Sequence, residues 1–294
     1  MEATKECVVI HNRKDLRNVK GVEFVKGLCA ADQMNPEAPR NYEDGLKRLE
    51  HYVSIGLIRD GRNGGHDDRK IRYSDSRIFG DTLVIYLGLT DWREYMRFYD
   101  MPLEKSLILQ ERSAEMFGGR RYEFHSRAAG ATVMLKTREG SIPAGVRLNL
   151  QYQNFVHGPV AYFHEFNTID SCLRLRKLSS MSALKREIKR EFKEEVDIEP
   201  DKLVGEPEIF GVSCPVKTGE VDISMLQQTS VPNRYFEKMV WKRASGNPKE
   251  YKLMFLLHDI EDVRRALEDY RGKIYCSTKL ILESLTPEDF KPLA

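Results

Sequence analysis

The stretch Arg190-Glu191-Phe192-Lys193-Glu194-Glu195-Val196-Asp197-Ile198 sets three carboxylates, Glu191, Glu194 and Glu195, at i, i+3 and i+4. Residues so spaced share one face of a helix, and like charges there repel by roughly 0.2–0.5 kcal/mol per pair. A helix that keeps them needs an offsetting partner, and a hard divalent cation with oxygen ligands is one. Upstream, Leu184, Ile188 and Phe192 form an apolar stripe, with Glu187, Glu191, Glu194 and Glu195 gathered along its edge. Lys185, Arg186, Lys189 and Lys193 lie on the other side. Charges segregated by sign forgo much i,i+4 pairing, and acids beside a buried stripe are costly to desolvate. The plainer account is an amphipathic helix whose acids pair with Arg190, since Glu187 precedes it by three residues and Glu194 follows by four. On the wheel alone the two readings stand level.

The whole chain is compatible with either. At 294 residues it is long enough for one large or two modest domains and a substantial core. With 41% hydrophobic and 31% charged residues it reads as a soluble globular protein. A net charge of +2 gives no pointer to nucleic acid or an anionic membrane. The five cysteines, Cys7, Cys29, Cys172, Cys214 and Cys276, are widely spaced and form no CxxC pair. Reduced thiols in a cytoplasmic setting are expected. No long apolar leader opens the sequence, and no apolar run approaches the length of a membrane span.

Two regions are expected. Residues 1–120 read as an α+β extension. Tyr42 to Ile58 has helical periodicity, Asp60 to Asp68 breaks it, and Lys70 to Tyr73 and Thr82 to Leu87 read as strands around a Gly80-Asp81 turn. Leu89 to Tyr99 reads as a helix capped by Thr90, and Gly118-Gly119 marks the boundary. In residues 121–294, Ala128 to Lys136, Val146 to Tyr152, Val160 to Phe166, Ile209 to Val212, Ile223 to Thr229 and Lys252 to His258 read as strands, with a Gly158-Pro159 turn. Ser182 to Val196, Arg234 to Lys242 and Glu261 to Tyr270 read as helices, the first capped by Ser180 or Ser182.

The carboxylate stretch resembles the second half of the Nudix box, G-x5-E-x7-R-E-U-x-E-E-x-G-U with U apolar. Arg190, Glu191, Phe192, Glu194, Glu195 and Ile198 match. Asp197 stands where the pattern has Gly, Ser182 where it has its first Glu, and Arg176 where it has its first Gly. Ala128-Ala129-Gly130-Ala131 before an apolar run is similar to the opening strand of a Nudix domain. The resemblance implies an α/β fold, a Nudix-like α/β/α sandwich with a mixed sheet. It implies a Mg²⁺- or Mn²⁺-dependent hydrolase that cleaves the phosphoanhydride of a nucleoside diphosphate linked to another group. Glu191, Glu194 and Glu195 would be metal ligands, and Arg190 would orient the helix. Glu187 is the candidate to replace the missing first Glu, as partner of Arg190 and as a further ligand. Arg174, Arg176 and Lys177 stand where they could reach phosphates, although solvated surface charge explains each singly. The alternative is a domain that binds nucleotides without cleaving them, as a sensor or regulator. The resemblance admits a homodimer.

Other features carry less. His157 and His164 could hold a metal, but isolated histidines are commoner. Gly61-Arg62-Asn63-Gly64-Gly65 lacks the Gly-Lys-[Ser/Thr] of a phosphate loop. Glu237 and Glu250 are candidates for an extra catalytic carboxylate. Cys214 has no evident activating partner. The N-terminal helix, Gly/Arg-rich loop and strand pair resemble a winged helix, yet no recognition helix rich in Arg, Asn or Gln follows, so nucleic acid is the less favoured partner. A cap over the substrate pocket or a dimer interface is the other expectation for this region.

Overall fold

The computed structural model describes residues 7–29, 41–60, 67–147, 154–158, 160–162, 166–237 and 251–293. The fold is mixed α/β, with three sheets and helices packed between and upon them. The largest sheet has five strands in the order β1 (Cys7–His11), β9 (Leu203–Pro215), β10 (Val221–Thr229), β5 (Ala129–Lys136) and β8 (Val160–Tyr162). β10 and β5 run parallel, and the other neighbours are antiparallel. A second sheet joins β2 (Gly21–Lys26), β4 (Thr82–Asp91) and β3 (Arg69–Phe79). A third joins β11 (Tyr251–Leu257), β6 (Ile142–Arg147) and β7 (Val156–His157).

Strand β5 shows how the core is divided. Its side chains alternate between faces. Ala131, Val133 and Leu135 face the helix α6 (Ser180–Val196), where Leu184, Ile188 and Phe192 meet them. Met134 turns the other way, toward Ile281 and Leu282 of the helix Cys276–Ser284. The apolar stripe of α6 therefore packs as its periodicity requires. The same core takes in Val22 and Phe24 of β2 and Leu83, Ile85 and Leu87 of β4. Helix α6 thus lies between two sheets, and the Phe24 amide donates to Ser180 Oγ at 2.7 Å. Strand β1, from the start of the chain, completes the edge of the sheet formed by the later region.

Several boundaries differ from the sequence expectation, each for a local reason. Helix α2 is Tyr42–Ser54 rather than 42–58, because Gly56 at φ 70° turns the chain out of the helix. The helix expected from Leu89 starts later. Leu89 and Thr90 stay in the β3–β4 ladder, and the Asp91 carboxylate caps α3 (Trp92–Asp100) by accepting from the amides of Arg93 and Glu94. Phe166 begins helix α5 (Phe166–Asp170) rather than ending a strand. Ser179, not Ser180 or Ser182, caps α6. Residues 148–153, Pro159, residues 163–165 and residues 238–250 fall outside the described residues, so the ends of three expected elements do too.

Helix α4 (Leu103–Met116) was not expected, and its burial inverts the usual rule. It buries Ser106, Gln110 and Ser113 and exposes Leu107, Ile108 and Met116. Ser106 and Gln110 donate to the carbonyls of Lys217 and Val216 at 2.7 and 2.8 Å, and Ser113 donates to the Arg120 carbonyl. Hydrogen bonds replace apolar contact on its inner face. The expectation of five reduced thiols is also corrected. Cys7 and Cys276 are joined as a disulfide, with Cα atoms 5.6 Å apart, while Cys29, Cys172 and Cys214 are free and buried. Their separation of 269 residues hid the pairing. Among the described residues, no helix is long and apolar enough to cross a membrane.

Candidate functional site

The site is built on α6. Glu187, Glu191 and Glu195 succeed one another at one turn each and are 0%, 6% and 8% exposed. They are buried because the apolar stripe beside them is pressed between two sheets. Glu194 lies outward and is exposed. Arg190 gathers three of the four acids. Its Nη2 meets Glu191 Oε1 at 2.6 Å and Glu187 Oε2 at 3.3 Å, and its Nη1 meets Glu194 Oε2 at 3.0 Å.

The acids raise one another's proton affinity while Arg190 lowers it. Burial pushes the Glu191 carboxyl up, Arg190 pulls it down, and Glu195, Glu194 and Glu187 push it up again, to about 8. Burial opposes the charge on Arg190, but the carboxylates of Glu191, Glu187 and Glu194 outweigh it and raise the guanidinium above its ordinary value. The two directions agree physically. The cation is surrounded by acids, while Glu191 is surrounded by like charges as well as by the cation.

Sequence reasoning missed Lys70. It lies on β3, is 5% exposed and has its ammonium 5.2 Å from the centre of the Trp92 ring. Burial lowers it to about 8 against the pull of Asp67, Asp68 and Glu191. The N-terminal sheet therefore brings a second cation toward the acidic face of α6. The signal was a lysine at the head of Lys-Ile-Arg-Tyr in a strand with few exposed positions, which the Nudix pattern does not cover.

The other candidates are placed as follows. Arg174 turns onto Asp170, donating from Nε to both carboxylate oxygens at 2.8 and 2.9 Å, and Tyr42 donates to the same carboxylate at 2.8 Å. It is tied into the α2–α5 contact. Arg176 and Lys177 are exposed in the turn before α6. Glu237 is exposed at the end of a described stretch. His157 is buried and stacked on Tyr275 with ring centres 4.3 Å apart, and burial holds it well below the ordinary histidine value. It is a neutral core histidine. Cys214 is buried, which pushes its thiol up to about 11 and makes it unreactive. His164, Glu250 and Gly61 to Gly65 lie outside the described residues.

Among the described residues, no group of three or more His, Cys, Asp or Glu is placed to hold a metal ion. The donor chemistry of α6 nevertheless fits a hard cation: oxygen donors, closely spaced along one helix face and partly buried. The side chains of Glu187, Glu191 and Glu194 are drawn onto Arg190.

The backbone at the two pattern-breaking positions is informative. Arg176 has φ 50° and Asp197 has φ 53°, both left-handed. That region favours glycine by roughly 1–2 kcal/mol over residues with a Cβ, although Asp tolerates it better than most. Arg176→Gly is expected to stabilise the protein by about 1 kcal/mol, and Asp197→Gly by about 0.5 kcal/mol. Thermal midpoints of both variants check this, and a fall at position 176 would refute it. Asp197→Gly also removes an exposed ion pair with Lys193, which contributes little. No protein-family model matches the chain, and no curated protein matches it.

Proposed function

We propose that the chain is a Nudix-type hydrolase that uses Mg²⁺ or Mn²⁺ to cleave the phosphoanhydride of a nucleoside diphosphate linked to another moiety. The observation that carries this reading is the buried run of Glu187, Glu191 and Glu195 on one face of α6, a costly arrangement that a divalent cation would offset. The left-handed backbone at Arg176 and Asp197 supports the family reading, since the box has glycine at both positions. Helices on both faces of a mixed five-stranded sheet support an α/β/α sandwich with an N-terminal α+β extension.

Glu191, Glu194 and Glu195, with Glu187, would hold the metal. A metal held there would supply an activated water and neutralise the diphosphate. Arg190 keeps the acids aligned along the helix, its contact with Glu187 standing in for the absent acid at Ser182. Arg176 and Lys177 remain the candidates for substrate phosphate. A homodimer and a cytoplasmic setting belong to the same reading, the Cys7–Cys276 disulfide being the observation that weighs against the second.

The test is turnover of ADP-ribose, dinucleotides and nucleoside triphosphates with Mg²⁺ or Mn²⁺. Glu191→Gln and Glu194→Gln are each expected to lower the rate on the order of 10²-fold or more. A second reading, a nucleotide-binding protein without turnover, draws on Arg190 already engaging three of the acids. Nucleotide binding with both metals and no product would assign that role.

A further inference from the structure

We propose that the cleft on the face of the β2–β4–β3 sheet turned away from α6 is a second binding site, for a small ligand bearing a phosphate or carboxylate group. Ile85 and Leu87 of β4 face the core, so Tyr86 between them faces outward into this cleft. The cavity measures about 420 Å³. Small-molecule sites span roughly 300–1,000 Å³.

The floor is preformed. A Cβ at Gly27 would stand 2.8 Å from Ser74 Oγ and 3.0 Å from the carbonyl carbon of Tyr86, so glycine lets the chain pass this close. Just beyond, Ser74 Oγ donates to the Leu28 carbonyl at 2.5 Å, and the buried Arg72 donates to the same oxygen at 3.2 Å. The walls carry Arg77 from β3 and Arg120 from the segment between α4 and β5. Their compensation is partial. Arg77 meets Asp75 at 3.2 Å. Arg120 lies 3.8 Å from Glu123, a carboxylate that Arg72 also engages at 3.4 Å. Two guanidinium groups thus face a cavity lined by the single acid Asp75. Guanidinium forks match the paired oxygens of phosphate and carboxylate. Solvated surface arginines are the plain alternative, but they do not require a shaped floor held by a buried arginine.

The site is separated from α6 by the sheet itself and stands independently of the hydrolase reading. Calorimetric titration of protein freed of divalent cations on a chelating resin, in a buffer without carboxylate or phosphate, with inorganic pyrophosphate, AMP and citrate tests it, with the first two separating phosphate from the carboxylate arm. At least one is expected to bind with one-to-one stoichiometry. Arg77→Ala and Arg120→Ala should each weaken it about tenfold or more. Both variants should melt as the parent protein does when unliganded, and Glu191→Gln should bind as the parent does. Absence of binding in all three arms, or equal affinity in the Arg77→Ala/Arg120→Ala double variant, overturns the proposal.

Discussion

Replacing Arg190 with methionine is expected to lower the stability of the protein by about 3–5 kcal/mol above about pH 8, where Glu191 as well as Glu187 is ionised, because it withdraws the cation from buried carboxylates. Glu187 is fully buried and Glu191 nearly so, and both lean on this guanidinium at 3.3 and 2.6 Å. The methionine fills the space of the arginine stem, so lost packing is a small part of the effect. Arg190→Lys keeps a charge but not the fork that reaches three carboxylates from two nitrogens, and should fall between the two. Urea denaturation measures all three proteins. The double variant Arg190→Met/Glu187→Gln should recover part of the loss, since one buried charge then no longer needs the missing cation. A loss below about 1 kcal/mol for Arg190→Met would show that the acids are stabilised by something else.

That dependence explains why the site was half legible in the sequence. The stripe Leu184–Ile188–Phe192 and the acid edge beside it are consequences of helical period, and both pack as that period requires. Periodicity could not say which way the acids turn. Their convergence on Arg190 depends on how deeply two sheets bury the helix, a property of the whole fold. Lys70 was invisible for the same reason: its neighbours Asp67 and Asp68 are local, but Glu191, whose charge also acts on it, lies 121 residues onward and is brought near by tertiary packing.

The elements follow the same division. Strands with clean alternation or apolar runs, such as Ala129–Lys136 and Val221–Thr229, were readable because burial imposes those patterns. Helix α4 was not, because it hides serine and glutamine against backbone carbonyls and turns Ile108 and Met116 outward. The helix Cys276–Ser284 likewise opens with polar residues that serve the core. Ser277 donates to the buried Asp222 at 3.0 Å, and Thr132 meets the same pair from β5. Where hydrogen bonds take the place of apolar contact, hydrophobic periodicity has nothing to report.

Glu191→Gln is expected to stabilise the metal-free protein at pH 7.5 and to leave it nearly unchanged at pH 5. The Glu191 carboxyl is pushed up to about 8 in the folded chain, against 4.5 as its ordinary value. The folded state therefore holds this proton more tightly than the unfolded state does. Its contribution to stability is complete below about pH 4.5 and is lost as pH rises toward 8. The pKa difference sets a ceiling on the order of 4 kcal/mol at pH 7.5, and relaxation around the ionised acid should reduce the observed gap to about 1–3 kcal/mol. Other groups slope the other way. Burial holds His125 at about 3, so its contribution is present above pH 6.5 and declines below it. Lys70, lowered to about 8, regains stability only above that pH. The informative quantity is thus the difference between parent and variant in chemical denaturation from pH 5 to 7.5, in which those shared slopes cancel. A difference that stays constant with pH would sink the claim that Glu191 is protonated in the folded chain. Saturating Mn²⁺ adds a second arm: a bound cation favours the carboxylate, so it should stabilise the parent most at pH 7.5 and the glutamine variant far less. Equal stabilisation of both proteins would place any bound manganese away from the acids of α6.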